Sequence, residues 1–206
     1  MYLTLRHYVG VGTRINEIAR KVEDGLVPRL KQSPGFMGYC AVGCENGDAL
    51  SVTLFESGGQ ASEANEQARS WVQSDLRDLL PDPPEVFSGE AVIHAGVAGN
   101  NGNFSSPLYV LVRKFDNIRE PDKAEEFTRQ VSVPSISSSP GFRGFYAVWG
   151  DPGRSRAAIV TLFDSRENAD QSNERVIALI REKGGSVVPP PTRIVVGKAL
   201  VVAAAA

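Results

Sequence analysis

Hydrophobic and polar positions along this chain trace the same succession of elements twice. Tyr2 to Tyr8 (YLTLRHY) and Tyr109 to Phe115 (YVLVRKF) are rich in β-branched and aromatic residues, and both read as strands. After the first, Ile15, Ile18, Val22 and Leu26 recur at helical spacing, and a matching helix begins near Glu120. Pro28 and Pro134 fall late in these helices, where each is expected to bend or end the helix. Ser33-Pro34-Gly35-Phe36 predicts a turn, because proline fixes φ and glycine supplies the permissive position. GYCAV and ALSVTLF flank Glu45-Asn46-Gly47-Asp48, which predicts a hairpin; Asp151-Pro152-Gly153 takes its place in the second copy. Ser57 and Gln60 fit a capping box opening a second helix. Its apolar stripe is Ala61, Ala64, Ala68, Trp71, Val72, Leu76 and Leu79. Pro81, Pro83 and Pro84 close it, matched by Pro189, Pro190 and Pro191, and the last strands are placed at Glu90 to Ala95 and Lys198 to Val202.

The copies are also alike letter by letter. SPGFMGYCAV at Ser33 to Val42 returns as SPGFRGFYAV at Ser139 to Val148, and VTLFES at Val52 to Ser57 returns as VTLFDS. From Val52 onward no gap is needed: Asn65 meets Asn173, and Gly89 meets Gly197. Units this long are not solenoid repeats. The expected domains are 1–97 and 108–206, joined at 98–107 by a Gly/Asn/Ser segment that reads as a flexible linker. The order βαββαβ is that of a ferredoxin-like unit, with helices on one sheet face. Strands apolar at nearly every position belong to a sheet buried on both faces. The fold class expected is therefore α+β, two tandem ferredoxin-like units packed sheet to sheet, each covering the other.

Charge narrows the partners. Lys plus Arg number 22 and Asp plus Glu 24, a net charge of −2, which argues against nucleic acid or an anionic membrane surface. No stretch approaches the roughly 18 apolar residues of a membrane span. The opening MYLTLRHY lacks the pattern of a signal peptide, and Cys40 and Cys44 cannot make a disulfide framework. A cytoplasmic protein is the expectation, with the Asn103-Phe104-Ser105 triplet incidental. There is no P-loop, no Rossmann glycine pattern, no zinc spacing and no Gly-x-Ser-x-Gly elbow, so no bound metal or nucleotide cofactor is expected.

A few polar residues in apolar settings remain as candidates. Asn65 falls within the inward stripe of the second helix, and Asn173 takes the same place in copy two. An inward amide costs about 1–3 kcal/mol unless bonded; its partner is either the protein itself or a ligand. Trp71 shares that stripe and is matched by Leu179, either as core or as a pocket wall offering its indole N–H. Arg6 and Arg113 lie mid-strand, where a guanidinium needs either an acid on a neighbouring strand or a ligand carboxylate or phenolate. His7 (matched by Lys114) and His94 read first as surface or barrel-edge residues rather than bases. Tyr39, Tyr146 and Trp149 line either a cavity or the core, and neither cysteine reads as a nucleophile. The candidate ligand contacts are Arg6, His7, Tyr39, Arg69 and Asn173.

The Pro-Gly-Phe turn, the VTLFES strand end, Asn65 with Trp71, the proline-rich exit and Gly89-Glu90 together resemble the antibiotic biosynthesis monooxygenase-like domains of the dimeric α+β barrel superfamily. The resemblance covers both copies and implies an intrachain dimeric α+β barrel with a pocket in each unit between sheet and helices. Oxygenases of this family act on electron-rich phenolic polyketides without flavin or metal. By that resemblance Asn65 and Trp71 are the catalytic candidates, the substrate is a small aromatic molecule and no cofactor is needed. Haem-degrading relatives use an axial histidine on a helix, and neither histidine here is predicted on one. The other reading is a non-catalytic small-molecule-binding or stress-associated barrel. Further association of whole chains is left open.

Overall fold

The computed structural model describes residues 1–96, 104–185 and 187–205. The first half runs β1 (Tyr2–Tyr8), α1 (Ile15–Lys21), α2 (Val27–Gln32), β2 (Phe36–Cys44), β3 (Ala49–Phe55), α3 (Gly58–Asp75), β4 (Glu85–Glu90) and β5 (Ile93–Gly96). The second runs β6 (Tyr109–Phe115), α4 (Pro121–Phe127), α5 (Val133–Ser137), β7 (Phe142–Trp149), β8 (Ala157–Phe163), α6 (Arg166–Leu179) and β9 (Arg193–Ala204). All strands belong to one curled antiparallel sheet in the order β4-β1-β3-β2-β9-β6-β8-β7-β5. Within each half the order is the same: β4-β1-β3-β2 and β9-β6-β8-β7.

The last strands lie differently from the sequence expectation. β9 begins at Arg193, well before Lys198, and is shared: Arg193 to Lys198 pair with β6, and Gly197 to Ala204 with β2. β4 and β5 divide the same work, one on β1 and the other on β7. Between them the Ala91 N–H donates to the Met1 carbonyl and the Val92 N–H to that of Ala147, at 3.0 and 3.1 Å. The two outermost strands are thus consecutive in the chain, and the sheet closes into a barrel. Gly197 makes the hand-over possible, since a Cβ there would lie 2.4 Å from the Gly43 carbonyl oxygen.

The barrel interior is one core fed by both halves, including Leu3, Leu5, Val52, Val110, Val112 and Val160. Outside it, each half packs its helices on its own part of the sheet. This is why β3 is buried at every position. Pro28 and Pro134 do not end their helices. A π-helical turn precedes each, Val22–Leu26 and Thr128–Ser132, and the Val27 N–H reaches back to the Val22 carbonyl. The wider turn accommodates a residue with no N–H of its own. Gly35 and Gly141, at φ 70° and 68°, make the turns that follow. Ser57 caps α3 as expected, its Oγ accepting from the Gln60 N–H at 3.5 Å and donating to Gln60 Oε1 at 2.8 Å. The linker expected at 98–107 lies partly outside the described residues, as does Asn103. Its described end is docked rather than free: Phe104 is buried in the barrel core against Gly38, and Arg143 Nη1 donates to the Ser105 carbonyl at 2.6 Å.

One end of the barrel is tied by buried charge. His7, expected at the surface or the barrel edge, is 1 % exposed. Lys114 Nζ, its own counterpart in the second half, donates to His7 Nδ1 at 2.7 Å, and His7 Nε2 donates to Asp48 Oδ2 at 2.8 Å. Lys114 also reaches Glu85 at 2.5 Å, and Arg156 links Glu85 to Asp116. Burial lowers the pKa of His7, and Lys114 and Arg193 add to that against the pull of Asp48. Burial alone would raise Asp48 and Glu85, but the bonds from Gly10, His7 and Asn46 to the first, and from Lys114 and Arg156 to the second, hold both low.

His7 folds neutral. Its contribution is complete above its ordinary value of 6.5 and is lost as pH falls from there toward its lowered folded value. The two carboxylates lose theirs only as pH falls below the ordinary carboxylate range of about 4. Melting temperature measured against pH should therefore fall in two stages, and His7→Gln should remove the first stage alone. Gly197→Ala should destabilise the chain by about 1–3 kcal/mol in urea, because the added carbon overpacks the crossing of β9 and β2.

Candidate functional site

Along β1, Leu3 and Leu5 join the barrel core, and His7 joins the charged cluster at its end. The alternate residues Thr4, Arg6 and Tyr8 therefore face outward, beneath the helices. Register places Ser51 and Thr53 of β3 beside Arg6 and Thr4, and Ser88 of β4 on the other side of Thr4. With Tyr39 from β2 they form the polar floor of a cavity of about 840 Å³. Its roof is aliphatic: Ile15, Ile18, Val22 and Leu26 from the first helices, Val72 and Leu76 from α3 and the turn after it. The proline-rich exit, Pro81 to Pro84, lies at its rim with Arg69 and Glu66, an exposed ion pair at 3.7 Å. A cavity of this size suits a small-molecule ligand.

Arg6 is the charged centre of the floor. Its Nη2 donates to Asn65 Oδ1 at 3.0 Å, and Asn65 Nδ2 donates to Thr4 Oγ1 at 2.9 Å. Thr4 in turn bonds Ser88 Oγ at 2.9 Å. The partner of Arg6 within the protein is thus an amide, and of the two partners the sequence left open, a neighbouring-strand acid or a ligand anion, the acid is not the one found. Burial lowers its pKa, offset only by Tyr8 and Tyr39, yet a guanidinium stays charged at neutral pH. Burial pushes both tyrosines up, so their hydroxyls keep their protons. A cation held by a neutral amide, ringed by hydroxyls and roofed by hydrocarbon, can take an anionic oxygen whose carbon skeleton lies against the helices.

Of the sequence candidates, Arg6, Tyr39, Asn65 and Arg69 come together here. Trp71 is buried but does not line the cavity; it lies against Gly25 of the π-helical turn, where a Cβ would be 2.7 Å from the indole. At the corresponding positions the second half has Val131 and Leu179, an exchange of volume between neighbours. His7 faces away, and His94 is exposed on β5. The lining residues include no His or Cys. Among the described residues no group of three His, Cys, Asp or Glu side chains could hold a metal ion. Cys40 is sealed in the barrel core with its pKa pushed up to about 12, as is that of the half-buried Cys44. Sequence reasoning missed Thr4, Tyr8, Ser51, Thr53 and Ser88. Alternation along β1 offered the signal, since polar side chains recur at every second place.

The second half keeps the ion–amide pair, with Arg113 Nε donating to Asn173 Oδ1 at 2.9 Å. Around it most of the polar floor is gone; Thr161, the counterpart of Thr53, stays but donates to the Leu111 carbonyl. Register equates Thr4 with Leu111, Tyr8 with Phe115, Ser51 with Ile159 and Ser88 with Val196, and Tyr39 falls at Phe145. The corresponding space is about 40 Å³, walled by Phe115, Ile159 and Ala147 among others.

No protein-family model matches the chain, and no curated protein does so. Solved structures do match in fold. A candidate monooxygenase from Fusobacterium nucleatum superposes with a TM-score of 0.73 at 11% identity, covering 98% of this chain and 94% of that one. An anthrone oxidase-like protein gives 0.60 at 12%, covering 99% and 93%. A chlorite dismutase from Candidatus Nitrospira defluvii gives 0.61 at 11%, covering 97% and 90%. At such identities the likeness establishes the α+β barrel fold and nothing finer. No helix among the described residues is long and apolar enough to cross a membrane.

Asn65→Ala should cost about 1–3 kcal/mol in urea unfolding, because it strips Arg6 and Thr4 of a partner each. Asn65→Asp should recover most of that by pairing with Arg6, while cancelling the charge that the floor offers a ligand.

Proposed function

We propose that this chain is a cofactor-independent oxygenase acting on a small hydroxyaromatic anion in the first-half cavity. In this reading it is a tandem antibiotic biosynthesis monooxygenase-like protein, its two ferredoxin-like units (1–97 and 108–206) forming the barrel within one chain. The observation that carries the reading is Arg6: a guanidinium at the floor of a ligand-sized cavity, fixed by an amide and left without an acid partner. Such a group favours the ionised form of a phenol, and an electron-rich phenolate is what can reduce O₂ without a cofactor. The net reaction takes two hydrogens from the substrate, inserts one oxygen atom and releases the other as water. Asn65 acts by holding Arg6, Tyr8 and Tyr39 offer hydroxyls to the substrate's oxygens, and the aliphatic roof keeps the reacting carbon out of water. Trp71 acts from outside the cavity, packed against Gly25 of the π-helical turn that carries Val22 and Leu26. The fold neighbours named as a monooxygenase candidate and an anthrone oxidase-like protein support the reading.

A second reading, binding without turnover, is favoured by one observation: both ends of the Asn65 amide are already engaged by the protein. The readings separate on oxygen uptake with dihydroxyaromatic substrates. The oxygenase should consume O₂ and release quinone one for one, and Arg6→Met should lower kcat/KM by about 100-fold or more. Ligand binding with no oxygen uptake would leave the second reading in its place.

A further inference from the structure

The two arginine–asparagine pairs are built from different nitrogens. Arg6 donates through Nη2 to Asn65 Oδ1 at 3.0 Å, whereas Arg113 donates through Nε to Asn173 Oδ1 at 2.9 Å. What each guanidinium has left differs accordingly. Among the described residues Nε and Nη1 of Arg6 make no hydrogen bond, and Arg6 lines the large cavity. Arg113 keeps Nη1 and Nη2, both buried without a partner, and it does not line the cavity of its half.

The difference traces to what stands beyond the amide. A guanidinium only donates, so Asn65 turns its carbonyl oxygen to Arg6 and its NH₂ away. That NH₂ meets Thr4 Oγ1 at 2.9 Å. Thr4 bonds Ser88 Oγ at 2.9 Å, and Ser88 Oγ donates to the Tyr2 hydroxyl at 3.4 Å. A hydroxyl has one proton to give. Ser88 gives its own to Tyr2 and therefore accepts from Thr4, so every bond in the chain runs outward from the cation. In the second half Leu111 and Val196 stand in the places of Thr4 and Ser88. No hydroxyl at either place holds the Asn173 amide, and its oxygen lies on Nε instead.

We propose that Thr4 and Ser88 are positioning residues of the first-half site. Their hydroxyl chain holds Asn65 Oδ1 on Nη2 and so leaves Nε and Nη1 of Arg6 to an anionic oxygen of the ligand. Both residues line the cavity, yet neither has a proton left for an anion, because each has already given its one away. Their effect on an anion therefore passes through Asn65 and Arg6. This rests on reading the cavity floor as an anion site.

The test uses para-nitrophenol, whose ionised form is read by its visible absorbance, with para-nitroanisole as the uncharged control. The full chain should lower the pKa of the bound phenol, and Arg6→Met should abolish that shift. Thr4→Val keeps the shape and removes the hydroxyl; it should weaken binding of the phenolate by about three- to tenfold, and Ser88→Ala by about threefold. Both variants should bind para-nitroanisole as the wild type does, and Thr4→Ser should restore phenolate affinity. Wild-type phenolate binding in Thr4→Val and Ser88→Ala, with Arg6→Met impaired, would overturn the positioning role and leave the anion site standing. A loss shared by para-nitroanisole would also overturn it, since the hydroxyls would then serve the fold alone. Equal phenolate binding by wild type and Arg6→Met would remove the anion site and the proposal together. Should Thr4→Val fail to fold, Ser88→Ala decides, because Ser88 is exposed on β4.

Discussion

The shared last strand is the constraint on which everything else rests. β9 pairs first with β6 of its own half and then with β2 of the other, and β4 with β5 does the same with β1 and β7 through Ala91 and Val92. A sheet of four strands with helices on one side would leave its other face wet and its edges open. Sharing the last strands closes both edges at once and turns the bare faces inward onto a single core. The halves are then not separable bodies, since each carries a strand whose partners lie in the other. The Lys114–His7 bond tightens the same junction by joining two equivalent positions. Counterparts can touch in this way only near the axis that relates the halves.

Once the barrel is closed, the outer faces are free to differ. The backbone ladder, the π-helical turns and the Arg–Asn pair recur in both halves. What changes is the set of side chains between sheet and helix. In the first half small hydroxyls stand beside Arg6; in the second, Leu111, Ile159, Val196 and Phe145 fill the same places. Each such exchange removes a group that a ligand's oxygen could meet and adds hydrocarbon that occupies its room. One scaffold thus holds an open polar-floored cavity and a nearly closed apolar one, without a change of topology.

Much of this was legible in the sequence, and the limits have physical causes. Periodicity located the helices, the Ser57 cap and the hairpin, because these depend on neighbours a few residues away. It misplaced the last strands, because β9 is extended by partners in two different halves and its outer residues alternate too weakly to mark where it begins. Pro28 was readable as a disturbance but not as a π-helical turn, since only packing decides between breaking a helix and widening it. His7 looked like a surface or barrel-edge residue because its partners, Asp48 and Lys114, are distant in the chain. Asn65 was found for a sound reason, an amide on an apolar stripe. Its partner Arg6 was considered separately, and nothing local links the two.

The comparison of the two arginines changes which residues define the site. Asn65 first stood out as the singular polar group, but Asn173 makes a like bond to Arg113, and neither of these two lines the 40 Å³ cavity of that half. The amide is therefore a fitting for the guanidinium, present wherever the guanidinium is. A fixed charge has different consequences in different surroundings. In the first half its unused donors open onto a cavity where solvent or a ligand can reach them; in the second they are sealed among isoleucines. The determinant is the company of the charge rather than the charge itself. Thr4, Tyr8, Ser51 and Ser88 are that company in the half where the guanidinium lines a ligand-sized cavity, and in the second half hydrocarbon takes their places around Arg113.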